Sequence, residues 1–390
     1  MTRLNLHIFA SNIEAETRLF KEARYTLGRS IFDRVVVVGL WAEGLAEGET
    51  LSSGLEVQRV PTWVRRLRGW SVLTRRGFIW QVVASLSLLQ YAASVLLRAR
   101  RLKPTHVSCH NLILLPLSWI AARITGAHLV YLPHELETQR TGLGGLRKRM
   151  EIWIERQLIG RARDVVTVSP PIADWYRQVY GGDNVHVIRN LPEAASVMRK
   201  PIQSGAFRDR FAIPSAATVF IYQGVLGPER STDVLLHIFA DLPRDRCHLV
   251  LMGYGTDAVL EEIRSFAATV RNIHFQPAVP ADQIVSYSSG ADIGIWINET
   301  APLSYRYALP NKFYEYAHAG LPVLVSDNLS YLAQLIEEAD IGWVTRFQDA
   351  RATIESVSLE NIEAMRERVA HYAERATWEA DAALFSYIYR

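Results

Sequence analysis

The feature that most constrains this fold is an alternation of short β-branched runs with helical patterns, which continues along all 390 residues. The helical patterns are about ten residues or longer, so each fits a helix that connects two strands. Strands joined in this way form parallel sheets with helices on both faces. The runs cover residues 4–10, 35–40, 107–109, 129–132, 165–169 and 185–188 in the first half, and 219–223, 249–252, 273–276, 293–297, 322–326 and 342–345 in the second.

The number of runs, about six in each half, indicates two doubly wound sheets in two Rossmann-like domains. The length agrees, because one ordinary core does not extend over so many residues. A (β/α)8 barrel is the alternative fold. Between Asn190 and Ala206 the pattern lapses into a polar stretch with Pro201 and Gly205, which suits a linker. We therefore expect a first domain over 1–195 and a second over 205–374.

Composition narrows the cellular setting. Cys109 and Cys247 lie far apart in apolar runs, which predicts two buried thiols in a reducing compartment. No group of Cys and His has metal-ligand spacing, so we expect no metal. The first apolar stretch is short and broken by Asn5 and His7, so it is read as a strand and not as a secretory signal. These observations predict a cytoplasmic protein.

A basic segment without acidic residues extends over 57–134, although the net charge of the chain is only +3. Trp63, Trp70, Phe78 and Trp80 lie among its first arginines. Arginines attract anionic headgroups and aromatic rings settle at the bilayer interface, so we expect this segment to contact an anionic membrane surface. A solvated basic face is the alternative, and no nucleic-acid module accompanies the segment. The residues expected at the membrane are Arg65, Arg66, Arg68, Trp70, Arg75 and Arg76.

An uncharged stretch within this segment, residues 77–97, has roughly the length that spans a bilayer. Its polar residues do not fall on one helical face, so the helix is expected to be buried or to face lipid. The strand pattern resumes at 107–109, and a membrane crossing here would split the domain. We therefore favour a core helix with basic ends near lipid over a transmembrane helix.

The most informative segment is residues 308–327. Pro310 suits the first position of a helix and Gly320 suits the residue after its end. A buried strand follows, which places the helix amino terminus at the rim of the second sheet, where open α/β sheets bind ligands. The free N–H groups and the helix dipole there favour an anion, and Lys312 adds a positive charge in the first turn. Glu315 lies on the same face as Lys312, so an ordinary surface ion pair is the alternative.

This segment resembles the Pro-Asn-Lys-x-x-Glu-Tyr…Gly-x-Pro-Val signature of family 4 glycosyltransferases, which are retaining enzymes of the GT-B fold. Residues 222–231 are similar to that family's Tyr-x-Gly…Arg/Lys-Gly turn, and 251–255 to its Gly-x-Gly strand end. His134 with Glu135, and residues 188–190, match further short motifs. The resemblance extends from about 129 to 322. It implies two Rossmann-like domains that face each other across a cleft, and a final helix over 364–389, with 375–390 crossing back to the first domain.

The resemblance also implies roles for single residues. Glu315 would bind the ribose of the donor nucleotide, Lys312 would lie at its phosphate end, and Arg230 would neutralise the departing diphosphate. His134 would lie near the donor sugar. Tyr307 occupies the position of a glutamate in the usual pattern. The remaining site residues are, for the nucleotide, Asn311, Gly224, Gly253 and Tyr307, and, for the acceptor or cleft, Ser11, Asn12, His110, Ser169 and Asn190.

The function implied is transfer of a sugar, with retention, from a UDP- or GDP-sugar to a lipid-linked saccharide or glycolipid. Bacterial surface polysaccharide synthesis on the inner face of the plasma membrane is the expected setting. No Asp-x-Asp motif is present, and we expect neither a metal nor a cofactor. A nucleotide-sugar epimerase of similar shape and a non-catalytic nucleotide-sugar-binding partner are the alternatives.

Overall fold

The structure is a computed structural model that describes residues 2–14, 16–63, 78–140, 142–194 and 206–390, with 78–83 described by their backbone alone. The chain divides into two compact units. The first comprises Met1–Ile188 with Ala382–Arg390, and the second comprises Arg189–Asp381.

The first unit has, among the described residues, an eight-stranded sheet in the order β3-β4-β2-β1-β5-β6-β7-β8. Only the edge strand β3 is antiparallel to its neighbour there. The strands are β1 (Leu4–Ile8), β2 (Arg34–Leu40), β3 (Gly48–Ser52), β4 (Leu55–Val60), β5 (His106–Cys109), β6 (His128–Tyr131), β7 (Asp164–Thr167) and β8 (Val185–Val187). The helices described before residue 189 are α1 (Thr17–Gly28), α2 (Phe78–Leu102), α3 (Leu115–Thr125), α4 (Gly145–Leu158) and α5 (Pro170–Tyr180).

The second unit has a parallel sheet of six described strands in the order β11-β10-β9-β12-β13-β14. Its strands are β9 (Thr218–Val225), β10 (Cys247–Tyr254), β11 (Ile273–Pro277), β12 (Ile293–Trp296), β13 (Val323–Ser326) and β14 (Gly342–Thr345). Its first helices are α6 (Ala206–Phe211), α7 (Thr232–Ala240), α8 (Asp257–Thr269), α9 (Ile284–Ser288), α10 (Leu303–Tyr307) and α11 (Asn311–His318). They are followed by α12 (Ser330–Ala339), α13 (Ala350–Ser356), α14 (Leu359–Arg375) and α15 (Trp378–Ala382), and α16 (Phe385–Ile388) lies in the first unit.

The predicted fold of two Rossmann-like domains is confirmed, and all twelve predicted runs are strands. The first sheet has two further strands that the sequence analysis missed. β4 alternates buried Leu55 and Val57 with half-buried Glu56 and Gln58, and β3 is polar and largely exposed at the sheet edge. Neither is a β-branched run, so both lack the pattern that predicts the other strands.

The final helix predicted over 364–389 is wrong as a single element. The helical pattern breaks at Ala376, which leaves the helical region of backbone conformation. The chain then forms α15 and α16, and Trp378 is buried with its backbone N–H donating to the carbonyl of Pro192 at 2.8 Å. The last residues, Ala382–Arg390, belong to the first unit, whereas the returning segment was expected to begin at 375. There Tyr389 is buried and stacks on Phe385.

The uncharged stretch at 77–97 forms most of α2. Tyr91, Val95 and Ala99, spaced by four residues, are buried, whereas Leu89 is 65% exposed and Leu97 is also exposed. The helix is therefore buried on one face, as a core helix would be, but its other face is exposed. No helix in the described ranges combines the length and the hydropathy that a bilayer crossing requires. Both cysteines are buried free thiols, as predicted.

Candidate functional site

The helix predicted in residues 308–327 is α11, and its amino end carries the candidate site. It begins at Asn311, one residue later than predicted, because Pro310 keeps an extended conformation in front of it. Gly320, with φ of +76°, follows its end in the left-handed region that glycine tolerates. Its buried face holds the helix against the sheet and consists of Phe313, Tyr314, Tyr316 and Ala317.

A cavity of about 360 Å³ lies between the amino end of α11 and the carboxyl ends of β9 and β10. This is the crevice position expected for a ligand in a parallel sheet. Of the residues predicted for the nucleotide and its phosphates, six line it: Gly224, Arg230, Gly253, Asn311, Lys312 and Glu315. Tyr307 ends α10 and does not line it.

Two glycines bring the ends of β9 and β10 together at the cavity wall. Gly224 has φ of +116°, a conformation that side chains disfavour. A Cβ atom placed on Gly253 would lie 1.8 Å from the carbonyl oxygen of Gly224. Position 253 therefore requires glycine because a side chain would clash with the backbone of Gly224. Position 224 favours glycine because its φ angle is positive.

Lys312 and Arg230 place two cationic side chains at the same cavity. The Lys312 Nζ atom lies 3.8 Å from the ring centroid of Tyr222 and 5.0 Å from that of Trp296. Burial lowers the pKa of Lys312 well below its usual range, Arg230 lowers it further, and Glu315 opposes the shift. A bound anion would offset both unfavourable effects, so the cavity suits a negatively charged ligand.

Glu315 is held by a chain of hydrogen bonds. Its Oε2 atom accepts a hydrogen bond of 2.5 Å from the Gln223 side-chain amide, whose oxygen accepts from the Ser288 hydroxyl. The Gln223 backbone N–H donates to the Tyr316 hydroxyl at 3.0 Å. The carboxylate is thus fixed at the cavity wall, where it can accept hydrogen bonds from ligand hydroxyls.

Gln223, Tyr222 and Trp296 were not predicted as site residues. The first two stand beside Gly224 in the motif at 222–231, which was the available signal. Trp296 is the last residue of β12 and had no such signal. Asn190, expected at the cleft, donates through Nδ2 to Asn311 Oδ1 at 2.8 Å within the second unit.

The other candidate residues lie in the first unit. His110 and His134 are hydrogen-bonded through Nδ1 and Nε2 at 3.1 Å. Ser11 and Asn12 lie in the loop after β1, where they donate to Glu16 at 2.7 Å and to Glu14 at 2.6 Å. Ser169 is buried immediately before α5. The structure therefore brings the two histidines together and leaves the loop residues and Ser169 in separate local contacts.

Two protein families match the chain in succession. The family described as Glycosyltransferase Family 4 matches residues 33–191, and the family described as Glycosyl transferases group 1 matches residues 204–376. The chain belongs to the family 4 type of GT-B glycosyltransferase. The matches fall in the first and second units respectively, apart from the residues at the junction.

This glycosyltransferase is 23% identical over 325 residues to the D-inositol 3-phosphate glycosyltransferase of Rhodococcus jostii (strain RHA1), covering 77% of this chain and 70% of that protein. Among solved structures it is similar to Anabaena HepE in complex with UDP-glucose, with a TM-score of 0.72, 15% identity and 98% of each chain covered. It is also similar to WaaG, a glycosyltransferase involved in lipopolysaccharide biosynthesis, with a TM-score of 0.67, 15% identity and 99% of each chain covered. These structural similarities establish the fold.

Proposed function

We propose that this glycosyltransferase takes its sugar from a UDP- or GDP-sugar bound in the cavity of the second unit. The observation that carries the proposal is the pairing of a fixed carboxylate, Glu315, with the cationic Lys312 and Arg230 around one cavity. A carboxylate accepts hydrogen bonds from ribose hydroxyls, and the two cations suit a diphosphate. HepE, a protein of the same fold, binds such a donor, which supports the proposal.

The transfer step places negative charge on the departing diphosphate. Arg230, Lys312 and the N–H groups at the start of α11 stabilise that charge in a site partly shielded from water, so the proposal needs no metal and no cofactor. From the first unit, His134 hydrogen-bonds the transferred sugar. Of the other predicted cleft residues, Ser11, Asn12 and Ser169 contact the acceptor in this proposal.

We propose retention of configuration, which rests on the family resemblance. The bond between the anomeric carbon and the phosphate oxygen breaks while an acceptor oxygen bonds that carbon on the same face. The acceptor proton passes to the departing phosphate oxygen. Proton NMR of the isolated product would show the anomeric configuration of the donor, and an inverted product, or an isolated glycosyl-enzyme adduct, would contradict this step.

The fate of the donor separates transfer from the two alternative functions. We expect release of nucleoside diphosphate from UDP-glucose or GDP-mannose to rise at least about tenfold when a bacterial lipid extract is added, since binding energy for the acceptor is realised in the transition state. An epimerase would change the sugar without any lipid, and a non-catalytic binder would leave the donor intact. Chromatography of the reaction mixture distinguishes all three results.

The acceptor in this proposal is a lipid-linked saccharide or glycolipid at an anionic membrane, as in bacterial surface polysaccharide synthesis on the inner face of the plasma membrane. All six residues predicted for membrane contact lie outside the described residues: Arg65, Arg66, Arg68, Trp70, Arg75 and Arg76. The support therefore comes from the helices that follow them in the chain. WaaG, which has the same fold, takes part in lipopolysaccharide biosynthesis.

Helices α2, α3 and α4 pack side by side and expose apolar side chains. On α4, Leu146 is 81% exposed and Trp153 is 63% exposed, with exposed Met150 between them on the same face. Leu89 and Leu97 on α2, and Ile120 and Ile124 on α3, are also exposed. Apolar side chains exposed on three adjacent helices are typical of a protein or membrane contact.

The charges on these helices favour a membrane over a protein partner. The exposed charged residues of α4 are basic, because its two acidic residues, Glu151 and Glu155, are buried. The charged residues of α2 and α3 are Arg98, Arg100, Arg101 and Arg123. Exposed apolar side chains together with arginine and lysine suit an anionic bilayer surface. The apolar side chains insert into the bilayer, and the cations contact the headgroups. We call the residues of α2, α3 and α4 named here the α2–α4 surface.

Replacing Leu146 and Trp153 together by serine should lower partitioning into phosphatidylglycerol vesicles at least about tenfold, because each large apolar side chain contributes about 1.5–3 kcal/mol on burial. Raising the salt concentration should weaken binding of the wild type, because the basic contribution is screened. Vesicle co-sedimentation measures both effects. Val179→Ser is the matched control, since Val179 is an exposed apolar residue of the first unit on α5. Equal partitioning of the double variant and the wild type would contradict membrane binding through the α2–α4 surface.

A further inference from the structure

A line of buried polar side chains runs through the first unit and ends at His134. The Asn5 side-chain amide lies 2.9 Å from His7 Nε2, and His7 Nδ1 lies 2.9 Å from His110 Nε2. His110 Nδ1 lies 3.1 Å from His134 Nε2. Asn5, His7 and His110 are buried.

The sheet topology brings these residues together from distant parts of the chain. Asn5 and His7 lie on β1, whose neighbour β5 pairs His7 with Ser108. His110 follows β5, and His134 follows the next strand, β6. The line therefore runs from β1 to the carboxyl ends of the next two parallel strands, β5 and β6.

The line continues on the other side of Asn5. The Ser108 hydroxyl donates to Asn5 Oδ1 at 3.0 Å and lies 2.9 Å from the Tyr389 hydroxyl. The Tyr389 hydroxyl is hydrogen-bonded to the buried Glu22 carboxyl group. These contacts hold the oxygen of the Asn5 amide toward Ser108 and its N–H group toward His7.

All three histidines are neutral at neutral pH. Burial lowers the pKa of His7 and of His134 to about 3, and it lowers the pKa of His110 well below its usual range. A neutral imidazole has one N–H donor and one acceptor nitrogen. In a line of neutral imidazoles, the donor chosen at one end therefore fixes the tautomer of every member.

We propose that Asn5 fixes the tautomer of His134 through His7 and His110, so that His134 presents an Nδ1–H donor. The Asn5 amide donates to His7 Nε2, so the His7 proton is on Nδ1 and is donated to His110 Nε2. His110 then donates from Nδ1 to His134 Nε2. The His134 proton is left on Nδ1, an atom without a hydrogen-bond partner among the described residues.

This inference rests on the proposed function, in which His134 hydrogen-bonds the transferred sugar. An N–H donor requires an acceptor oxygen on that sugar, so the tautomer selects hydroxyl or carboxylate groups and disfavours an ammonium group. Asn5, His7 and His110 are positioning residues here, because they act on the sugar only through His134. Their role is to keep one donor in one orientation before the substrate binds.

A metal ion is the competing use of the same side chains. The ligand atoms of His7, Glu22 and His110 lie within 4.8 Å of one another. However, His7 Nδ1 and His110 Nε2 hydrogen-bond each other, and His7 Nε2 accepts from Asn5. An ion would have to displace part of this line, so its presence would remove the tautomer control.

The test is nitrogen NMR of full-length protein labelled with 15N-histidine, which distinguishes Nδ1–H from Nε2–H tautomers. We expect the wild type to show Nδ1–H at His7, His110 and His134. In Asn5→Leu, a variant of similar size without a donor, His134 should show a mixture of both tautomers. The stacked pair of His248 and His274, at 3.0 Å in the second unit, is the internal control and should be unchanged.

Kinetics give a second readout that a purely structural role would not produce. Asn5→Leu should lower kcat about tenfold, the effect of one misdirected hydrogen bond, and leave nucleotide affinity unchanged. Any of three results would overturn the inference. The wild type could show Nε2–H at His134, Asn5→Leu could leave the His134 tautomer unchanged, or the protein could contain a stoichiometric bound metal. If Asn5→Leu does not fold, the wild-type spectrum alone decides. If no nucleotide binds, the proposed function fails while the tautomer result still stands.

Discussion

Replacing Arg230 by alanine should reduce kcat for sugar transfer about 10²- to 10³-fold, the cost of removing one donor aimed at developing charge. Arg230 lines the cavity and lies 5.0 Å from the ring centroid of Tyr305, which holds its guanidinium in place. In the proposed transfer step its positive charge stabilises the diphosphate most when that group departs, so kcat should fall more than donor affinity. Steady-state kinetics with saturating lipid acceptor measure both quantities.

Arg264 provides the matched control for this variant. It also lies over an aromatic ring in the second unit, 5.4 Å from the centroid of Phe275, but it does not line the cavity. Arg264→Ala should keep wild-type kcat and thermal stability. If Arg230→Ala retained wild-type kcat, Arg230 would have no part in leaving-group stabilisation, and Lys312 would have to be reconsidered as the principal cation.

Replacing Gly253 by alanine should abolish nucleotide binding and destabilise the second unit. The new methyl group would meet the Gly224 carbonyl oxygen at 1.8 Å, and that neighbour is backbone that cannot rotate away. The ends of β9 and β10 must separate, which costs about 1–3 kcal/mol or more and deforms the cavity wall. Differential scanning calorimetry and nucleotide titration measure the two effects.

Gly28→Ala is the control for a glycine replacement that the structure accommodates. Gly28 ends α1 in the first unit, and a Cβ atom there would meet no atom within 4 Å. We expect its melting temperature to stay at or slightly above that of the wild type, since alanine restricts the unfolded chain. A Gly253→Ala protein with normal stability and normal nucleotide affinity would show that the two strand ends are not as close as described.

Local sequence patterns were sufficient to predict α11 and twelve of the fourteen described strands. The buried strands are β-branched runs, and α11 lies between Pro310 and Gly320, whose backbone preferences act within a few residues. The cavity residues Lys312 and Glu315 followed from their spacing on that helix. Their partners did not, because Gln223 and Glu315 are 92 residues apart and meet only through the order of strands in the sheet.

In the first unit, too, local sequence patterns do not predict which distant residues meet. His7 and His110 are 103 residues apart, and Asn5 and His7 were read only as polar breaks in an apolar strand. β4 was missed because an alternating strand next to an edge lacks the continuous apolar run of a central strand. The end of α14 was missed because the helix breaks at Ala376, and the next helix starts with Trp378 in a buried position that only the tertiary fold provides.

The most direct test of a nucleotide-sugar site at α11 is the thermal stabilisation of the wild type and of Glu315→Ala by UDP, GDP, ADP, CMP and dTDP. A ligand at about 100 times its dissociation constant adds about 2.7 kcal/mol to the free energy of unfolding, which shifts the melting temperature by several degrees. We expect UDP or GDP to stabilise the wild type and to have little effect on Glu315→Ala. Failure of every nucleotide to stabilise the wild type, or equal stabilisation of both proteins, would contradict a nucleotide-sugar site at α11.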